Sequence, residues 1–118
     1  MPVADGKAMS LSESRFHTLA DGLLQTLADA VEEAVGDHAE ADLIGGILTI
    51  DLESGGQYVI NKHAPNRELW LSSPTSGAWH FGYDAGSEAW LSTRDASRSL
   101  TEVLARELEA ATGTAVPL

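Results

Sequence analysis

The sequence predicts an α+β domain, a two-layer α/β sandwich in which an antiparallel sheet of about five to six strands carries N- and C-terminal helices packed on one face. Three observations predict it. A helical apolar period fills the first third of the chain, alternation with a period of two replaces it after Gly45-Gly46, and the helical period returns near the end. Each helix then has one apolar stripe and each strand one apolar face, so both helices are expected on the same side of the sheet, with the other side in water.

The first helix is announced by Ser10-Leu11-Ser12-Glu13, which has the spacing of a capping box and places the start near Leu11. Phe16, Leu19, Ala20, Leu23, Leu24, Leu27, Val31, Ala34 and Val35 follow at steps of three and four, forming one buried stripe, and Gly36 stops it. Leu48, Ile50 and Leu52 then alternate with Thr49, Asp51 and Glu53, a strand with one wet face. Gly55-Gly56 fits a turn. Further strands are expected at residues 57–63, 68–72, 77–83 and 89–91, punctuated by Pro65-Asn66, Pro74 and Gly86, which is the spacing of a meander. Ser99-Leu100-Thr101-Glu102 is a second capping box, and Leu100, Val103, Leu104, Leu108 and Ala111 form the closing stripe before Gly113.

Composition narrows the function. The 118 residues suit one domain, and no apolar run approaches the roughly 18 to 20 residues that cross a bilayer. The absence of cysteine excludes disulfides, thiolate metal ligands and cysteine nucleophiles. A formal charge of −11 disfavours nucleic acid and anionic membrane, so cations or basic surfaces are the expected partners. No nucleophile elbow, phosphate loop or dinucleotide fingerprint is present, which favours binding over covalent chemistry.

The negative charge is concentrated. Between Arg15 and Lys62 there is no Lys or Arg, while Asp21, Asp29, Glu32, Glu33, Asp37, Glu40, Asp42, Asp51 and Glu53 all fall there. At about 100° per residue, Asp29, Glu32 and Glu33 cluster opposite the apolar stripe, with Asp37 one turn beyond. Acids in the C-terminal half of a helix oppose its macrodipole, and like charges three and four apart cost about 0.2–0.5 kcal/mol per pair, so the strip is not there for stability: it is either a solubilising face that discourages edge pairing or a binding surface. Glu40 and Asp42 alternate on the next segment and would continue the strip along an edge strand. Carboxylates at such spacing are hard ligands for Fe²⁺, Fe³⁺ or other divalent cations such as Mn²⁺ and Ca²⁺, held weakly at exposed sites. Among the histidines His17, His38, His63 and His80, only His38 lies in the acidic stretch and could add an imidazole. On the wet face of the sheet, alternation sets Asn61, Trp70 and His80 opposite the core residues Tyr58, Ile60, Leu69, Leu71, Phe81 and Tyr83. A tryptophan there either suits a protein contact or is partly covered by packing on a neighbouring strand.

Gly45-Gly46-Ile47-Leu48-Thr49, Tyr58-Val59-Ile60-Asn61-Lys62, Pro65-Asn66, Leu69-Trp70-Leu71-Ser72-Ser73-Pro74, Ser76-Gly77, Trp79-His80-Phe81 and Trp90, in this order, resemble the frataxin family. The resemblance runs from Leu11 to Gly113. It implies a single frataxin-like domain over residues 11–113 between a short disordered tail (1–10) and a short C-terminal tail (114–118). It also implies an iron-binding protein of iron–sulfur cluster assembly, an iron chaperone or donor that regulates the complex of cysteine desulfurase and scaffold. The alternative it carries is a ferroxidase that oxidises Fe²⁺ with O₂ and stores iron in oligomers. Carried over residue by residue, the metal ridge is Asp21, Asp29, Glu32, Glu33, Asp37, Glu40 and Asp42, with His38 beside it, and the partner contacts are Asn61 and Trp70, with His80. Gly22 and Gln25 stand where more acidic members have carboxylates. His80-Phe81 resembles bacterial members, and the start of the chain does not read as a presequence, so a bacterial cytoplasmic monomer is expected. A mitochondrial matrix form and iron-dependent oligomers are the alternatives. The short tail is expected to cover little of the groove between the helices, leaving the fold less stable than long-tailed members.

Overall fold

The structure, a computed structural model, describes residues 11–118. The expected tail over residues 1–10 and the Ser10 end of the first capping box lie outside the described residues. Helix α1 (Glu13–Val35) begins later than Leu11: Ser12 has the extended backbone an N-cap needs, and its hydroxyl accepts the Arg15 N–H at 3.2 Å. Phe16, Ala20, Leu24, Leu27, Val31 and Val35 are buried, with Leu19, Leu23 and Ala34 half-buried along the edges of the stripe. Gly36 closes the helix, donating its N–H to the Glu32 carbonyl.

Six strands follow in chain order across one sheet: β1 (Ala39–Ile44), β2 (Ile47–Leu52), β3 (Gln57–His63), β4 (Glu68–Ser73), β5 (Gly77–Asp84) and β6 (Ala89–Ser92). Every neighbouring pair is antiparallel, so the sheet is the expected meander. The β1–β2 connection is the two-residue Gly45-Gly46 turn, and both glycines have positive φ (62° and 79°), the geometry that matches the twist of a hairpin. Gly46 also yields space, because a Cβ there would come within 2.9 Å of the Lys62 side chain. A single 3₁₀ turn (Ala64–Asn66) links β3 to β4, with Arg67 left-handed at its end.

Leu48, Ile50, Tyr58, Ile60, Leu69, Leu71 and Phe81 point to one face and join the stripes of both helices in a single core. Each such side chain contributes about 1.5–3 kcal/mol through burial. Tyr83 shares that face but is half-buried. The closing helix α2 (Leu100–Thr112) is capped by the Ser99 hydroxyl on the Glu102 N–H, and Gly113 ends it in the left-handed conformation. The Glu102 carboxylate binds Arg98 and Arg106, so the reciprocal half of that capping box is spent on ion pairs.

Two expectations need correction here. Ala111 is exposed, because the α2 stripe is confined to Leu100, Val103, Leu104 and Leu108. The short C-terminal tail is nevertheless part of the core: the chain turns at Gly113 and returns Val116 to it, only 4% exposed. Among the described residues no helix is long and apolar enough to cross a membrane.

Candidate functional site

The acidic strip becomes a groove because of where β1 lies. This strand is the edge of the sheet and packs beside α1. Its alternation turns Ala39, Ala41 and Leu43 toward the core and Glu40, Asp42 and Ile44 to the open face. Glu40 is the direct partner of Asp51 across the β1–β2 ladder, and Glu53 lies just past the end of β2. Together with the end of α1 these elements line an open groove of about 580 Å³. Its acids are Glu32, Asp37, Glu40, Asp42, Asp51 and Glu53, its one imidazole is His38, and no Lys or Arg lines it.

Carboxylates placed directly opposite each other across a ladder destabilise it, as Glu40 and Asp51 do, unless solvent or a cation separates them. Asp51 is partly relieved by the Gln57 amide, which donates to it at 2.8 Å. The His38 ring sits 3.4 Å from the Glu53 carboxylate, so one potential nitrogen ligand is held at the groove. Among the described residues no three His, Asp or Glu side chains converge closely enough to hold a metal ion by themselves. The chemistry of the groove is therefore that of an open array of hard oxygen donors, with water completing the shell of any bound cation.

The other expected ridge residues divide. Asp29 and Glu33 are exposed on the outer side of α1, outside the groove lining, and Asp29 accepts a hydrogen bond from Gln25 at 3.0 Å. Asp21 is separate again, ion-paired at 2.7 Å with Lys62, whose stem passes over Gly46. Asp51 and Glu53, counted in the acidic stretch of the sequence but not in the metal ridge, belong to the groove, and the pairing of Glu40 with Asp51 is what brings them there.

Asn61, Trp70 and His80 are successive cross-strand partners on the open face. Trp70 does not project freely. Its ring is stacked between His63, with centroids 3.8 Å apart, and His80, at 4.2 Å, both within 8° of parallel. The indole N–H donates to Glu68 at 2.9 Å, and the same carboxylate lies 4.0 Å from the His80 Nδ1. The stack holds the indole flat and fixed on the open face of the sheet. His63 is the member that sequence reasoning missed. Its parity with Asn61 was visible, but its direct cross-strand partner is Glu68, and it reaches the indole as the diagonal neighbour of Trp70.

A second missed group lies where α2 meets the β4–β5 hairpin. Glu107 accepts hydrogen bonds from Ser73 (2.6 Å), Thr75 (2.7 Å), Tyr58 (3.0 Å) and Ser76 (2.6 Å), and Trp79 donates to Ser76 at 2.8 Å. Partial burial pushes the Glu107 carboxyl up, but the hydroxyls of Ser73, Ser76, Thr75 and Tyr58 together outweigh it and hold the group below the ordinary glutamate value. Burial first, and then the Glu107 charge, push the Tyr58 hydroxyl up to about 12. The legible signal was a glutamate on the apolar side of α2 together with the hydroxyl-rich Ser72-Ser73-Pro74-Thr75-Ser76 run.

Comparison with known proteins gives one consistent result. The model of the frataxin-like domain matches residues 9–114. The iron–sulfur cluster assembly protein CyaY of Pseudomonas fluorescens is 37% identical over 110 residues, covering 90% of this chain and 94% of that protein. The solved frataxin of Psychromonas ingrahamii superposes with a TM-score of 0.78 at 25% identity, covering 90% of this chain and 96% of the other. Trimeric frataxin of the yeast Saccharomyces cerevisiae, complexed with ferrous iron, superposes with a TM-score of 0.67 at 32% identity, covering 96% of this chain and 93% of the other.

Proposed function

The chain belongs to the frataxin family, and from that premise we propose that it serves iron–sulfur cluster assembly as a loose iron carrier and as a regulator that docks on a cysteine desulfurase and its scaffold. The observation that carries this reading is the groove beside β1. Six carboxylates and His38 face solvent there without a lining base, at a cost to the local stability of α1 and of the β1–β2 ladder. Such a surface attracts cations and basic protein surfaces alike, and it binds neither so tightly that exchange stops. Two relatives point the same way: CyaY is named for iron–sulfur cluster assembly, and the yeast frataxin was solved with ferrous iron. Iron here is cargo.

Metal ridge and partner face divide the work. In this reading Glu32, Asp37, His38, Glu40 and Asp42 hold iron, with Asp29 and Glu33 adding to the field on the outer side of the helix and Asp21 reserved to Lys62. Asn61, Trp70 and His80 meet the scaffold. The electrostatic part must weaken as salt rises, because exposed charges are screened beyond about 8–10 Å at ordinary ionic strength.

A pull-down with desulfurase and scaffold, with and without Fe²⁺, tests the proposal. Wild type should be retained, and Trp70→Ala should lose about 30-fold in affinity, as truncating a flat, preorganised aromatic anchor does. Failure of the wild-type chain to be retained under either condition would overturn the docking reading. Equal retention of Trp70→Ala would remove the sheet face from it.

A further inference from the structure

Among the described residues the most exposed large apolar side chain is Ile44, 74% accessible, and its direct cross-strand partner Ile47 is 45% accessible. Both flank the Gly45-Gly46 turn, and the turn itself does not need them, because the paired positive-φ glycines supply its geometry. Two paired β-branched apolar residues at the tip of an edge hairpin, one of them on the edge strand itself, invite unwanted strand pairing and are usually replaced by charges. Here the cost is accepted.

The register shows what they adjoin. Ile44 pairs with Ile47, Ile47 with Asn61, Asn61 with Trp70 and Trp70 with His80, so the five residues form one row across the open face from β1 to β5. Four strand spacings make that row about 19 Å long. Along β1, Asp42 and Glu40 are the next open-face residues after Ile44, and along β2, Thr49 and Asp51 follow Ile47. The apolar row and the acidic groove therefore meet at the β1–β2 corner, with Asp42 about 7 Å along the strand from Ile44.

We infer that Ile44 and Ile47 are an apolar anchor for a partner segment that carries an aliphatic or aromatic side chain next to Lys or Arg, so that the groove and the Trp70 face act as one docking surface. Charge selects this occupant. A second copy of the chain would bring its own −11 against Glu40, Asp42 and Asp51, and an anionic membrane would be repelled in the same way. A basic segment with an apolar tip satisfies both halves of the corner. The inference rests on the docking reading above and adds to it the chemistry of the segment that is recognised.

The test is the affinity of the full chain for the desulfurase–scaffold complex at low and high salt, comparing wild type, Ile44→Thr and the double variant Ile44→Thr/Ile47→Thr. Threonine keeps the β-branch, and both positions are exposed, so the melting temperature should stay within a few degrees of wild type. The double variant should bind about tenfold or more weakly at both salt concentrations, with an unchanged salt dependence, because apolar burial is lost and charge is not. The single variant, at the more exposed position, should show part of that loss and serves as the test if the double variant is poorly folded. Wild-type binding matched by both variants would overturn the anchor alone, whereas a wild-type chain that does not bind would overturn the docking reading together with it. Self-association of the wild type in sedimentation, abolished by the threonines, would contradict the choice of a basic partner.

Discussion

Converting Asp29, Glu32 and Glu33 together to lysine is expected to weaken desulfurase–scaffold binding roughly 100-fold or more at low salt while leaving the protein as stable as wild type or slightly more so. The stability half follows from α1. Its last turn holds no basic residue, and Asp29 repels Glu32 and Glu33 at the three- and four-residue spacings of a helix face. Lysines there would complement the macrodipole, contributing about 0.3–1 kcal/mol at low ionic strength and raising the melting temperature by a few degrees. The binding half follows from the groove. Glu32 lines it, and reversing its two exposed neighbours turns an attractive field for a basic partner into a repulsive one. Calorimetric titration and thermal melts on the same samples check both halves. A triple variant that still binds the complex at low salt would remove the ridge from its assigned role. One that binds poorly only because it is unfolded would be exposed by its melt.

Glu107→Ala is expected to produce the largest loss of stability among changes outside the apolar core, about 1–3 kcal/mol, or a fall of roughly 10 °C in the melting temperature. Its carboxylate is the common acceptor for Tyr58 and Ser73, which are buried, and for Thr75 and Ser76, which are exposed. Removal leaves the Tyr58 hydroxyl without a partner, whereas Ser73 keeps the Thr75 hydroxyl at 3.2 Å and the exposed pair turns to water, so the cost is that of one orphaned donor and not four. The pH dependence has a definite sign. The folded carboxyl lies below its ordinary value of 4.5, so its contribution is present above that pH and is lost as pH falls through the lower folded value. Tyr58 acts at the other end. Its hydroxyl is raised from 10.0 to about 12, so that contribution is intact below pH 10 and is lost as pH rises toward 12. Glu107→Gln should therefore flatten the acid limb of the melting-temperature profile while losing less stability than alanine at neutral pH. An alanine variant that melts with wild type would show the hydroxyl cluster to be energetically idle.

The fold was legible because its two periods are unambiguous: Phe16 to Val35 repeats at three and four, and Leu48 to Phe81 alternates between well-marked turns. Helix ends were less so. Ser10 and Ser12 both have capping chemistry, and Ser12, with its extended backbone, is the residue that caps α1. Parity assigned Asn61, Trp70 and His80 to one face, but parity does not give register, and it took the 3₁₀ turn at Ala64–Asn66 to bring His63 onto the indole. The ridge was legible as a charge run and not as a surface. Asp21 leaves it for Lys62, and Asp51 and Glu53 enter it, because pairing across two strands is long-range information that a local pattern does not carry. Glu107 was hidden for the opposite reason. Its side of α2 was marked apolar, and an isolated acid within such a stripe has meaning only beside the hydroxyls of another element. Val116 escaped notice because a tail of five residues past Gly113 looks too short to pack, yet one turn suffices to return it.

If the groove beside β1 is where cations are received, amide spectra recorded during anaerobic titration with Fe²⁺ will report it. Rapid, saturable changes confined to residues 29–42 and 51–53 are expected, reversed by a modest excess of chelator, with the His63–Trp70–His80 stack unaffected. Amide signals of residues 29–42 and 51–53 that stay unchanged, or changes centred on the stack, would contradict it.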